Sequence, residues 1–246
     1  MTRFLARAWP FVLLLALWQL WVTAAHVPSI VAPTPRAVGL ALVTHPQLYL
    51  GETAVTLGVA LAGLVIGTAL ALVFAIATWF SPLLTSAVTF PALLVQATPI
   101  VALMPVLARL LGYDQRTVVA AAALITVFPT FVLVAAGLRA PPPGAPDLFA
   151  VLGASRLACL RLLALPAAVP NFAAALRIAS ANCIVAALIA EYLMGTSGLG
   201  RLFATAEGTF DTAGAWAASL VATALSVAGY LATRRFERYV GRRFRP

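Results

Sequence analysis

Long apolar runs without a charged side chain are the feature that most limits how this chain can fold. Three of them cover 54–80, 83–108 and 117–138, in a chain with 63% hydrophobic and 9% charged residues. A helix needs about 20 such residues to cross the hydrocarbon core of a bilayer, where backbone polar groups must be satisfied within the protein. The sequence therefore predicts an all-α membrane protein.

Three further apolar runs complete a predicted pattern of six transmembrane helices in one domain covering 1–246. The first, 8–25, has tryptophans at both ends as a membrane span does, although its V-T-A at 22–24 loosely resembles a signal-peptide cleavage site. The fifth and sixth cover about 167–193 and 214–233, and 191–213 is predicted to be a loop. A short surface helix is expected to begin at Pro35, with Thr34 as its cap.

The distribution of arginine predicts the orientation of these spans. All 16 basic residues are Arg, and the absence of lysine excludes a P-loop nucleotide site in this chain. With six spans, eleven arginines share the side of both termini and four lie opposite, which places both termini in the cytoplasm. The basic tail indicates an anchor at anionic headgroups and not a nucleic-acid site. The eleven are Arg3, Arg7, Arg139, Arg156, Arg161, Arg234, Arg235, Arg238, Arg242, Arg243 and Arg245, and the four are Arg36, Arg109, Arg116 and Arg201.

The run 83–108 is the best candidate to line a pathway, because three prolines interrupt it. Prolines kink a helix and free carbonyls, which a membrane tolerates only beside protein or a water-filled cavity. A kinked packing helix is the alternative. The polar residues expected along a solute path are Gln96, Thr98, Asn182 and Glu191.

Few other residues suggest chemistry. Arg177 is an intramembrane charge, for which a structural partner near the cytoplasmic half is favoured over contact with an anionic solute. Cys159 and Cys183 are expected to be buried thiols, with a disulfide or a metal site as the alternative. His26 and His45 alone make a weak metal motif. No catalytic or metal site is predicted.

The segment 146–166 is a charged, interrupted stretch on the cytoplasmic side. Pro146 fits the first position of a helix, Gly153 can end that helix in a left-handed conformation, and Ser155 can cap a second helix that Pro166 closes. The apolar residues of the first helix would be exposed to water, which indicates a protein partner. An amphipathic helix on the bilayer surface is the alternative.

The same segment resembles the permeases of binding-protein-dependent ABC importers. Their cytoplasmic loop carries Glu-Ala-Ala, three residues, Gly, nine residues, Ile, any residue, Leu-Pro. Here Gly153 is followed by nine residues and then LALP at 163–166, while Asp147-Leu148-Phe149 replaces Glu-Ala-Ala. The stretches at 32–38, 96–107, 152–156, 164–177, 190–200 and 210–217 are similar to permeases of the nitrate, sulfonate and taurine type.

This resemblance implies a type I importer fold of the MetI-like kind in a bacterial inner membrane. It implies alternating access, with ATP and Mg on partner ATPase subunits, a second permease copy or a paralogue, and an extracytoplasmic binding protein. The solute would be a small oxyanion, sulfonate or heterocyclic vitamin precursor. The residues it assigns to ATPase coupling are Asp147, Leu148, Phe149, Leu152, Gly153, Ala154, Ser155, Arg156, Arg161, Leu165 and Pro166.

Two other functional classes are weighed against the importer. An ATPase-independent secondary transporter or channel is the main alternative, but the chain has neither a convincing internal repeat nor an acidic residue at the centre of a span. A membrane enzyme would need a nucleophile, base or metal arrangement that the sequence does not contain.

Overall fold

The structure, a computed structural model, describes residues 2–195 and 197–244 as a bundle of helices, without a strand among these residues. The predicted all-α class is confirmed. The helices are α1 Thr2–Ala24, α2 Pro35–Thr44, α3 Pro46–Phe80, α4 Pro82–Ala97, α5 Ile100–Leu111, α6 Gln115–Leu138, α7 Ala145–Val151, α8 Arg156–Cys159, α9 Leu165–Met194, α10 Leu199–Gly208 and α11 Thr212–Phe244, with a π-helical turn at Leu160–Ala164.

Four helical segments in the described residues are long and apolar enough to cross a membrane. They are α3, α6, the continuous stretch Arg156–Met194 and α11, and the bent pair formed by α4 and α5 brings the number to five if it counts as one span. The apolar part of α1, Val12–Ala24, is shorter. The count of six spans and the side of the termini stay predictions.

The centre of the bundle is formed by α3, α6 and α9, with α11 packed on α9. Small residues let these helices approach closely. A Cβ atom at Gly63 would lie 2.5 Å from the Ala122 side chain, and one at Gly67 would lie 2.5 Å from the Ala123 carbonyl. The two glycines therefore provide close packing between α3 and α6. On α9, Cys183 is buried in the core, whereas Cys159 is half-buried, and both thiols are free.

The predicted single span 83–108 is wrong in one respect, because it consists of two helices that meet at 107°. Thr98 has an extended backbone (φ −80°, ψ 126°), as residues before proline usually do. Its hydroxyl donates to the Leu94 carbonyl at 2.8 Å. Pro99 follows without an N–H to continue α4, so the chain turns sharply before α5 begins.

Three helix boundaries also differ from expectation. α3 begins at Pro46, because proline suits the first position of a helix, where its missing N–H is not needed. The stretch 191–213 is not all loop, since it contains the end of α9 and the whole of α10. The basic tail continues α11 to Phe244, as arginine is a good helix former and favours helix C-termini. The predicted cap of α2 is confirmed, because the Thr34 side chain accepts a hydrogen bond from Ala37 N at 3.2 Å.

Candidate functional site

The segment 146–166 forms a helical elbow, which we define as α7, the turn 152–155 and α8. Gly144 (φ 78°) directs the chain into α7, where Pro146 lies in the first turn together with Asp147. Neither α7 nor α8 has a buried residue. The elbow therefore projects from the bundle.

Backbone geometry fixes the angle of the elbow. Gly153 has φ 65°, and its N–H bonds to Ala150 O at 3.1 Å while Ala154 N–H bonds to Phe149 O at 3.0 Å. This pair of bonds is a Schellman motif, which needs a left-handed residue. Ser155 then caps α8 by accepting from Ala158 N at 3.2 Å. The predicted stop at 153 and start at 155 are confirmed.

An apolar surface covers the outside of the elbow. Val151 is 86% exposed, Leu152 71% and Leu148 57%, whereas Phe149 is half-buried. Val151 was not among the residues assigned to coupling, although its position one helical turn after Leu148 places both on one face. Contiguous exposed apolar side chains mark an interaction site.

Two arginines contact the corner between α3 and α4, Arg139 from the end of α6 and Arg156 from the elbow. Arg139 donates to Thr78 O at 3.1 Å and to Thr85 Oγ1 at 2.9 Å, and Arg156 donates to Phe80 O at 3.5 Å. The last carbonyls of a helix favour such cationic donors. Arg156 therefore faces α3, and Arg139 joins it in what we call the brace. Sequence reasoning missed Arg139, whose only signal is its position directly after a span.

The elbow continues into α9 as one rod, so Pro166 does not close the second helix as predicted. Proline lacks an N–H, and its ring crowds the carbonyl four residues earlier. The π-helical turn Leu160–Ala164 lies just before it, and there Leu165 N–H bonds to Leu160 O, five residues back. The wider turn accommodates Pro166, and the helix runs from Arg156 to Met194. Arg161 is exposed within this turn.

At the other end of the rod, Glu191 is almost completely buried (1% exposed). Its Oε2 accepts from Thr56 Oγ1 at 2.8 Å and from Gly200 N at 3.0 Å, and the Thr56 hydroxyl accepts from Leu199 N at 2.9 Å. Its Oε1 has no hydrogen-bond partner among the described residues. The carboxylate thus joins α9 to α3 and to the start of α10.

A second carboxylate on α3 strengthens this junction. Glu52 accepts from the Gly198 backbone N–H and forms an ion pair with Arg201 at 2.6 Å. Gly198 has φ 90°, and a Cβ atom there would overlap the Glu191 carboxylate. We call Glu52, Thr56, Glu191 and the backbone of 198–201 the outer clamp, after the side of the membrane on which the predicted orientation places them.

The four residues predicted to line a solute path do not come together within the single chain. Glu191 is buried in the outer clamp, where its carboxylate is bonded to Thr56 and Gly200. Gln96 is exposed, and with Thr98 it borders a narrow gap of about 20 Å³ between the α4–α5 bend and α6. Asn182 is exposed halfway along α9.

Arg177 lies between α9 and α11. Its Nε is 2.9 Å from Glu237 Oε2, its Nη1 donates to the Tyr230 hydroxyl at 3.0 Å, and its guanidinium is 5.6 Å from the centroid of that ring. The charge therefore has an internal counter-ion and a cation–π contact, as the structural alternative requires.

Comparisons with known proteins agree with this architecture. The family model "Binding-protein-dependent transport system inner membrane component" matches residues 63–246. A "Probable ABC transporter permease protein" of Haemophilus influenzae is 34% identical over 218 residues, which cover 88% of this chain and 89% of the relative. The "Formylaminopyrimidine transport permease protein ThiX" of Halalkalibacterium halodurans is 25% identical, with coverage of 92% and 91%.

A third relative is the "Riboflavin transport system permease protein RibX" of Chloroflexus aurantiacus, 29% identical over 202 residues, which cover 81% of this chain and 75% of the relative. Among solved structures, an amino acid ABC transporter with histidines superposes with a TM-score of 0.67 at 17% identity, covering 83% of this chain and 97% of the other. The MetNI methionine ABC transporter gives 0.60 at 16%, with coverage of 82% and 96%.

These relatives do not single out the nitrate, sulfonate and taurine subgroup, but they bear out the importer over an ATPase-independent transporter. The chain is a multi-pass inner-membrane protein and belongs to the family of binding-protein-dependent transport system inner membrane components, the permease subunits of ABC importers.

Proposed function

We propose that the elbow is the coupling element of this permease and docks in a groove of a partner ATPase subunit, which carries ATP and Mg. The observation that carries this proposal is the apolar surface of Leu148, Val151 and Leu152, exposed on a rigidly capped element that continues into a membrane helix. Burying an aliphatic side chain of this size contributes about 1.5–3 kcal/mol, so three of them supply a substantial docking energy. ATP hydrolysis is then the partner's reaction.

Movement of the elbow reaches the membrane by two routes. One is the rod, since displacement at Arg156 is carried along the same helix towards Glu191, about 50 Å away at 1.5 Å per residue. The other is the brace, through which Arg139 and Arg156 act on the corner between α3 and α4. Alternating access then requires the halves of a dimer to move relative to each other.

A second permease, the same chain or a paralogue, covers the exposed stripe of α9. This stripe contains Ile178, Asn182 and Val185, spaced as one helix face. The Asn182 side chain makes no hydrogen bond among the described residues and lies at mid-span, where an unpartnered amide in lipid is costly. We infer that this stripe, with Thr98 and Gln96 at the α4–α5 bend, borders the solute path between two permeases.

The solute is, on this proposal, a small neutral heteroaromatic compound of the vitamin-precursor type. Arg177 is the only basic residue within the predicted spans, and Glu237 neutralises it, which disfavours an oxyanion. The names of two relatives, for formylaminopyrimidine and riboflavin, point the same way. An extracytoplasmic binding protein delivers the solute to the side of Arg36 and Arg116.

A thermal-shift screen of the binding protein encoded with this permease tests the solute class. We expect stabilisation by aminopyrimidines or flavins and none by nitrate, taurine or alkanesulfonates. Stabilisation by the sulfonates alone would contradict the heteroaromatic solute and favour the nitrate, sulfonate and taurine subgroup.

Co-purification tests the coupling role. Phe149→Asp should detach the ATPase while the permease keeps its thermal transition, and undiminished transport would exclude docking at the elbow. Transport by the lone permease, without any ATPase, would contradict the whole proposal.

A further inference from the structure

A polar cleft of about 490 Å³ lies between α9 and the basic end of α11. Asn171 lines it from α9, and Glu237, Arg238, Gly241 and Arg242 line it from α11. A Cβ atom at Gly241 would meet no atom within 4 Å. The missing side chain at 241 therefore leaves the cleft open.

The cleft has an excess of positive charge. Glu237 is already paired with Arg177, whereas the side chains of Arg238 and Arg242 form no hydrogen bond or ion pair among the described residues. Residues four apart on a helix are neighbours, and like charges at that spacing repel. An anion held between the two guanidinium groups would remove this repulsion and accept hydrogen bonds from both.

The position of the cleft fits the level of lipid headgroups. α11 has 33 residues and is therefore about 50 Å long, against about 30 Å for a hydrocarbon core. Its basic end lies beside Asn171, near the start of α9 and thus at the end of the bundle that carries the elbow. Phe236 and Tyr239 are exposed among the arginines, as aromatic residues are at a membrane interface.

We propose that this cleft binds the phosphate of an anionic phospholipid in the cytoplasmic leaflet, with Arg238 and Arg242 as its ligands. The side of the membrane rests on the orientation given under the proposed function, but binding itself requires neither the ATPase nor the binding protein. The lipid would hold the end of α11 against α9, next to the elbow.

Native mass spectrometry of the purified full chain tests this site, with phosphatidylglycerol and phosphatidylcholine as probes. Wild-type protein should retain phosphatidylglycerol preferentially. The double variant R238Q/R242Q should bind it roughly 25-fold more weakly, at about fivefold per arginine. The matched double variant R235Q/R243Q removes the same charge outside the cleft. Its affinity for phosphatidylglycerol should stay within about twofold of the wild-type value.

A third variant separates shape from charge. Gly241→Leu adds a side chain to the cleft, keeps every charge and improves helix propensity, so it should reduce lipid binding without lowering the thermal transition. Equal losses in the two arginine double variants would overturn the proposal, because they would indicate diffuse attraction to a basic surface. Unimpaired binding by Gly241→Leu would also overturn it.

Two controls distinguish other occupants. Inorganic phosphate at 10 mM should leave the lipid bound, and displacement would mean a free-anion site instead of a lipid site. Loss of ATPase co-purification in R238Q/R242Q, with lipid binding unchanged, would assign the cleft to the ATPase and contradict the proposal.

Discussion

The two ends of the rod Arg156–Met194 are stabilised in opposite ways. The elbow end has no buried side chain in α7 or α8, and backbone caps and the contact of Arg156 with the Phe80 carbonyl hold it in shape. The end at the outer clamp contains a carboxylate that is 1% exposed and bound to two other helices. One end exposes its apolar surface, and the other buries a carboxylate whose Oε2 is bonded within the protein.

This difference indicates a division of roles along one helix. A preformed, exposed apolar surface gains free energy only when a partner covers it. A buried carboxylate with fixed donors is stable alone and costly to disturb. Substitutions at the outer clamp should therefore damage folding, whereas those at the elbow should damage assembly and leave the fold intact.

The largest effect is expected for Gly198→Ala in the outer clamp. The new Cβ would overlap the Glu191 carboxylate, and φ 90° with ψ 177° is nearly restricted to glycine. The sum of strain and overpacking is roughly 3–5 kcal/mol. Gly195→Ala is the control, because its φ is 63° but its Cβ would meet nothing within 4 Å. Thermal unfolding, monitored by size-exclusion chromatography, should show a much larger loss of stability for Gly198→Ala than for Gly195→Ala. Equal losses of stability would contradict the clamp.

Val151→Asp should break assembly without breaking the fold. Val151 is 86% exposed, so an aspartate there is solvated in the free permease and should change its stability by less than about 0.5 kcal/mol. Buried against a partner, the same charge should reduce ATPase co-purification by roughly tenfold or more. Val43→Asp, on α2 and 76% exposed, is the matched control. If Val151→Asp retained the ATPase, Val151 could not be part of the docking surface, and the proposed role of the elbow would be contradicted.

Substitutions in the brace should have an effect of intermediate size, on the coupling of transport to ATP hydrolysis and not on folding or assembly. Arg139→Met removes two hydrogen bonds to the α3–α4 corner, whereas Arg156→Met removes one at 3.5 Å. We expect transport per ATP hydrolysed to fall severalfold in Arg139→Met while the ATPase stays bound, with a smaller fall in Arg156→Met. Both variants are assayed in proteoliposomes. An equal or reversed order would mean that the arginines do not transmit movement through these contacts.

The smallest effect is expected on the side of the outer clamp, at exposed charges. The side chain of Arg116 is 82% exposed and only 3.9 Å from Asp114. Charge reversal there, or at Arg36, should weaken docking of the binding protein a few-fold at low salt and less at high salt. Basal ATP hydrolysis should not change. A parallel loss of both activities would indicate misfolding.

Local signals in the sequence predicted much of the elbow. Gly153 and Ser155 act through their own backbone and side-chain chemistry, so a stop and a cap could be read from residue type and spacing. The membrane spans at 54–80 and 117–138 could be predicted equally well, because an uncharged apolar run of that length is typical of a transmembrane helix.

Contacts between distant segments could not be predicted in the same way. Glu191 lies 135 positions from Thr56, and Arg139 lies 61 from Thr78, so no local pattern connects them. The local rule for proline predicts a stop at Pro166. The π-helical turn that accommodates this proline depends instead on the packing of Leu160 and Ala164 in the core.

The π-helical turn also sets an angular phase within the rod. A π turn holds one residue more than an α turn, and one residue corresponds to about 100° of rotation and 1.5 Å of rise. Without that residue the elbow would be rotated about a quarter of a turn around the helix axis, relative to the exposed stripe of α9 that contains Asn182. On the proposed arrangement, the winding inside this one helix therefore sets the direction in which the ATPase pulls relative to the direction in which the solute path opens.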